Sequence, residues 1–193
     1  MNDMVRKLTI MDAFQPFLSR PYEKLHLSEI SREINAPHPT ARQWLNFFEN
    51  KGVLRKEHKG RLTLFSLNLQ NPSIVDYLVI AEKRKLIGKC EEHPMLAELV
   101  SYIHKNSNEN VMVLIFGSAT DSFNSANDID ALIVGKQETN ELNNFSKRIN
   151  KRLHIIQASR LSNITKTLKA EIISKHLLIK GSEDLIRWMV WQQ

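Results

Sequence analysis

The sequence predicts an α+β protein built in two parts, and three observations lead there. Residues 6–50 carry the apolar spacing of three short helices, and two short strands around a basic turn follow at once. Beyond Asn110, three apolar runs of strand length occur, and helical stretches lie between and after them. A chain of 193 residues is long enough for two small domains. The expected division is residues 1–71, a connecting helix over 72–95, and a second domain over 96–193 with a mixed sheet in an α/β sandwich.

Leu8, Met11, Phe14 and Leu18 recur at three- and four-residue steps and predict a first helix over residues 6–18, broken at Pro21. A second helix runs from Leu27 to Ile34 and stops at Asn35-Ala36-Pro37. The third starts near Pro39, where a missing N–H costs nothing, and closes at Asn50 before Lys51-Gly52. Ala41, Trp44, Leu45 and Phe48 form its expected buried stripe. Val53–Glu57 and Leu62–Leu67 read as strands on either side of His58-Lys59-Gly60-Arg61. This layout resembles a winged helix-turn-helix. Thr40, Arg42, Gln43 and Asn46 then face solvent, and Arg and Gln are the residue types that bond guanine and adenine edges in the major groove. Lys56, Lys59 and Arg61 in the wing would contact phosphates, which set register without reading sequence. The alternatives are a solubilising surface or a dimerisation or protein-docking module.

Asn68 to Pro72 is the expected boundary, after which Ile74, Leu78, Ala81 and Lys85 fall in step on the connecting helix to Cys90. Pro94 opens another helix that ends in the polar turn Asn106 to Asn110. Val111–Phe116, Ile129–Val134 and Leu153–Ile156 are the three expected strands. Helices are expected over about 140–151, 161–175 and 182–191. Trp188 and Trp191 are expected in the core or at a contact between two copies, so a homodimer is among the expected partners.

The net charge is +6, and the basic excess concentrates in residues 1–71, with 11 Lys and Arg against 7 Asp and Glu. That placement points to double-stranded DNA as a partner of the first part. Cys90 is the only cysteine, which excludes an intrachain disulfide and a Cys-rich zinc site. No apolar run reaches membrane-spanning length, so no membrane partner is expected, and MNDMVRKLTI lacks the apolar core of a signal peptide. A cytoplasmic location is expected.

The chemistry concentrates in two short stretches. Val111–Phe116 ends in Gly117-Ser118, and after nine intervening residues Asp128-Ile129-Asp130 opens the next apolar run. A glycine lets a phosphate approach the backbone, and free N–H groups with the Ser118 hydroxyl suit phosphate oxygens. Asp128 and Asp130, two apart on a strand, project from one face and offer hard oxygen ligands. This strand–Gly-Ser–Asp-x-Asp pattern resembles the DNA polymerase β-like nucleotidyltransferases, most closely over residues 96–160. The resemblance implies that Gly117 and Ser118 bind an NTP, that Asp128 and Asp130 are catalytic ligands of Mg²⁺ (or Mn²⁺), and that a nucleotidyl group is transferred. The acceptor it implies is a protein hydroxyl, as in members that modify toxin partners, or a small molecule.

Two positions depart from the family pattern. Ser122 stands where active members often carry a loop glycine. His154 stands where the family's third carboxylate lies, and no Asp or Glu occurs from Leu153 to Thr167. His154 is read either as a polar residue filling space or as a replacement base or metal ligand. Lys147, Arg148, Lys151 and Arg152 would steer a triphosphate or a polynucleotide, or simply complement a helix end. The competing reading is a DNA-binding transcriptional regulator whose second domain is a non-catalytic nucleotide sensor or dimerisation unit.

Overall fold

The structure is a computed structural model describing residues 8–139, 142, 145 and 149–191. It is α+β, with a three-stranded antiparallel sheet and a mixed four-stranded one. Two compact units, Met1–Ala81 and Glu82–Gln193, divide the chain. The division falls inside a helix and not in the polar stretch Asn68–Pro72.

In the first unit, a 3₁₀ turn at Ile10–Phe14 leads into helix α1, Gln15–Ser19. The single helix expected over 6–18 is two short pieces because Pro16 has no N–H to continue the ladder. Buried Asp12 caps the first piece, accepting from the Thr9 N–H at 2.6 Å and from Gln15 Nε2 at 2.8 Å. Strand β1, Leu25–His26, runs directly into α2, Leu27–Glu33, whose first turn is capped by the His26 ring accepting from the Ser28 N–H. The turn to α3, His38–Asn50, passes through Asn35 at φ +51, a left-handed position that asparagine tolerates. Ser31 Oγ donates to the Ala36 carbonyl at 2.8 Å beneath that turn.

Ala41, Leu45 and Phe48 are buried along α3, while Trp44 is only half-buried, so the buried stripe is narrower than its spacing predicts. Strands β2, Leu54–Lys59, and β3, Leu62–Leu67, form a hairpin. Lys59 pairs with Leu62, which leaves Gly60-Arg61 as a two-residue turn with Gly60 at φ +60. The expected four-residue turn is shorter because His58 and Lys59 join the ladder. β1 pairs with the other side of β3. The Phe14, Phe48 and Tyr77 rings pack mutually at centroid distances of 4.5, 5.5 and 5.6 Å and lock the 3₁₀ turn and α3 to the next helix.

That helix is α4, Ile74–Glu92, followed by α5, Pro94–Asn106. The second unit continues with β4 (Met112–Phe116), a 3₁₀ turn at Gly117–Thr120, β5 (Asp128–Val134), β6 (Arg152–Ala158), α6 (Lys166–Ser174), β7 (His176–Lys180) and α7 (Ser182–Trp191). Its sheet has the order β6-β5-β4-β7, with β5 and β6 parallel. Parallel neighbours need a crossover, and Leu142 and Phe145, helical and buried, lie on it. The helix expected over 140–151, with Lys147 and Arg148, falls mostly outside the described residues.

β7 is a strand that the sequence reading lacks. His176–Lys180 was hidden between two helical stretches, and the helix expected over 161–175 is in fact a 3₁₀ turn at Leu161–Asn163 and the shorter α6. Val113, Ile115, Ile129, Ile133, Leu177 and Ile179 alternate onto one face and share a core with Leu96, Leu99, Ile103 and Phe123. Leu114, Leu132 and Leu178, of opposite parity, are also buried, so both faces are covered. α7 packs against β4 and β7 and buries Trp188, while Trp191 is exposed beside Arg187. At the β7 edge of the sheet, Lys83 and Lys85 of α4 donate to the Ile179 and His176 carbonyls at 3.0 and 2.6 Å. Charged caps of this kind keep an edge from pairing with other chains.

Candidate functional site

β4 delivers the chain to Gly117, which stands at φ +73. A Cβ there would lie 3.1 Å from Asp130 Oδ2, so the glycine both permits the left-handed turn and leaves room for the carboxylate. The turn is braced from within: Thr120 Oγ1 donates to the Gly117 carbonyl at 2.7 Å, and the Asp121 N–H bonds the Ser118 carbonyl at 3.2 Å. It is braced from outside as well. The Gly117 N–H bonds the Lys175 carbonyl at 3.2 Å, and Lys89 Nζ donates to the Asp121 carbonyl at 3.0 Å.

Asp128 and Asp130 share a face of β5, Asp128 exposed and Asp130 half-buried. Register places Asp130 opposite Phe116 on β4 and opposite His154 on β6. The two motifs, separated by nine residues in sequence, therefore meet at one place. His154 is exposed, with Nδ1 3.2 Å from Asp130 Oδ1. Donation from Nδ1–H to that carboxylate leaves Nε2 with its lone pair directed away from Asp130. Arg152 pairs in register with Asp128. An open, polar cavity of about 530 Å³ adjoins them, lined by Asn127, Asp128, Asn150, Lys151 and Arg152. Lys151 Nζ is engaged by the Asn124 and Ala126 carbonyls, and Arg152, exposed, is the second lining cation.

The donor set at this place is two carboxylates and an imidazole. Among the described residues, no group of three or more His, Cys, Asp and Glu is arranged to hold a metal ion. The pair Asp128 and Asp130 fits a hard cation whose remaining positions are filled by phosphate oxygens and water, as for Mg²⁺ travelling with a nucleotide. The His154 nitrogen adds little for such an ion. Cys90 is half-buried, and burial together with Glu91 pushes its thiol up, away from nucleophilic use at neutral pH.

In the first unit, Arg42 and Gln43 are exposed on α3, whereas Thr40 and Asn46 are half-buried. Asn46 is not free, because its Oδ1 accepts from Lys56 Nζ at 2.9 Å. That bond ties β2 to α3, so Lys56 acts first as a brace between them. Lys59 and Arg61 are exposed at the hairpin tip. No helix among the described residues is long and apolar enough to cross a membrane.

Sequence reasoning missed Lys89, Asp121 and Lys175, which surround the Gly117 turn. No local pattern signals them, since they arrive from α4, from the turn's exit and from the residue before the unforeseen β7. Comparison of the chain with protein-family models, with curated proteins and with solved structures yields no match.

Proposed function

We propose that the second unit is a nucleotidyltransferase-type domain that binds an NTP with Mg²⁺, and that residues 1–71 form a winged helix-turn-helix that binds double-stranded DNA. The observation that carries the first half is the 3.1 Å approach of Asp130 Oδ2 to the position of a Gly117 side chain. A phosphate-compatible turn and a carboxylate pair are there in one place. Ser118 takes phosphate oxygens, Gly117 leaves room for their approach while its own N–H stays on the Lys175 carbonyl, and Asp128 and Asp130 hold the metal. Mg²⁺, when bound, supplies charge neutralisation on the transferred phosphoryl group. Arg152 and the cavity beside Asp128 suit a polar acceptor, a protein hydroxyl or a small molecule.

One observation favours a second reading, in which the domain senses nucleotide without efficient transfer. His154, not a carboxylate, stands beside Asp130. A second metal would lack its ligand, and acid–base help in such reactions is worth about 10²–10⁴-fold. Incubation with labelled NTPs, Mg²⁺ or Mn²⁺ and a cell lysate is therefore expected to show slow transfer by the wild type. His154→Asp is expected to raise the rate by about tenfold or more. Fast wild-type transfer that persists in His154→Ala would show that the catalytic group lies elsewhere.

The DNA-binding half rests on exposed Arg42 and Gln43 on α3 with Lys59 and Arg61 at the hairpin tip. Affinity for a duplex is expected to fall linearly on a log–log plot against salt, with a slope of about −0.9 per phosphate neutralised. Lys59→Ala and Arg61→Ala should weaken all sequences alike and flatten that slope by about one unit each. Arg42→Ala should also relax sequence preference, by about 1–3 kcal/mol at the contacted pair. A low-salt gel-shift titration of the full chain with no complex would leave the first unit as a docking module.

A further inference from the structure

We propose that Lys175 is a triphosphate-contacting residue of this site, and that its ion pair with Asp121 is exchanged for phosphate when a nucleotide binds. The inference rests on the nucleotide-binding reading above and names a residue that reading does not use. Lys175 is attached to the turn by its own backbone, through the bond from the Gly117 N–H to its carbonyl. Its side chain reaches the exit of the same turn, where Nζ lies 2.6 Å from Asp121 Oδ2. The Gly117 turn is thus flanked by Asp130, close to Gly117 itself, and by the Lys175 ammonium, which reaches Asp121. A metal–triphosphate complex needs this pairing of charges: carboxylate toward the cation, ammonium toward the phosphates.

The Lys175–Asp121 pair is poorly suited to a purely structural role. The two side chains are 52% and 60% exposed, and ion pairs that open to water contribute little stability. Asp121 does not depend on it for position. Its carbonyl is held by Lys89 and its N–H by Ser118, so the turn keeps its shape when Lys175 lets go. Lysine is a point charge on a flexible stem, able to swing from a carboxylate to a phosphate oxygen without a fixed geometry. A triphosphate carries several negative charges against one on Asp121, and the exchange favours the nucleotide.

The test is binding of Mg–ATP and Mg–AMP to the full chain by calorimetry, with melting curves to show that each variant folds. Lys175→Met is expected to weaken Mg–ATP by about tenfold or more, the value of one charge-assisted contact. It should leave Mg–AMP unchanged, and Lys175→Arg should retain most of the affinity. Asp121→Asn removes the competitor and should tighten Mg–ATP by about two- to fivefold. That gain should vanish in the Lys175→Met background. Wild-type binding of Mg–ATP that Lys175→Met leaves intact overturns the inference and spares the nucleotide site. Equal tightening by Asp121→Asn with and without Lys175 overturns it as well. Absence of binding of all four Mg–NTPs by the wild type overturns the site reading, and the inference with it.

Discussion

Replacing both Asp128 and Asp130 by asparagine is expected to lower Mg–NTP affinity at least about a hundredfold. Each carboxylate makes one charge-assisted contact worth about 1.5–3 kcal/mol, and tenfold in affinity is about 1.4 kcal/mol. Asparagine keeps the volume of each side chain, so the 3.1 Å approach to Gly117 is preserved, and its carbonyl oxygen can still accept from the His154 ring. Asp128 is exposed and Asp130 half-buried, and neither holds the core together. The melting temperature should therefore change little while binding collapses. The metal enters through the same two carboxylates, so chelation by EDTA should reproduce the loss in the wild type and add little to the double variant. Calorimetry that gives the double variant the wild-type affinity for Mg–NTP would remove the basis of the nucleotide site.

Much of this site was legible because its two halves each sit on a strand, where period-two spacing fixes the face. Asp128 and Asp130 had to project together, and Gly117 had to end β4, once the apolar runs were recognised. What the sequence could not show was their meeting. That depends on the antiparallel pairing of Phe116 with Asp130, a contact between strands that local pattern does not encode. The parallel partner brought His154 to Asp130 for the same reason. β7 escaped because five residues, His-Leu-Leu-Ile-Lys, are too few to separate a buried strand from a helix end by periodicity. With β7 unseen, Lys175 had no place, and its tie to the turn's backbone went unnoticed. In the first unit, Pro16 sits within a run that reads as one amphipathic helix, and apolar spacing outweighed the missing donor. Trp44 failed differently: a large ring at a buried-looking position still leaves an edge in water.

Glu82→Gln is expected to destabilise the protein by about 3 kcal/mol or more. Glu82 and His176 are both fully buried, and Glu82 Oε1 lies 2.9 Å from His176 Nε2 and 3.4 Å from Lys85 Nζ. The other ring nitrogen, Nδ1, lies 2.8 Å from the Ile172 carbonyl, so it must carry a proton. Burial on its own raises the pKa of Glu82. The Lys85 and His176 charges and their hydrogen bonds outweigh it and hold the carboxyl down to about 2, so Glu82 is ionised at neutral pH. The ionised Oε1 accepts from Lys85 Nζ and lies against His176 Nε2. Removing the Glu82 charge leaves the buried His176 ring and the Lys85 ammonium without their acceptor, which is far costlier than losing an exposed pair. The sign of the pH dependence follows from the lowered pKa. The contribution of Glu82 is complete above its ordinary value of 4.5 and is lost as pH falls from there through about 2. Denaturant melts of the wild type should therefore show a fall of about 3 kcal/mol across that window, and Glu82→Gln should flatten it. A joint change to Glu82→Leu and His176→Leu removes both polar groups and should recover much of the loss, because replacing a whole buried pair by apolar groups is often neutral. A single Glu82→Gln cost within about 0.5 kcal/mol, the range of an ordinary surface substitution, would show that water reaches the pair.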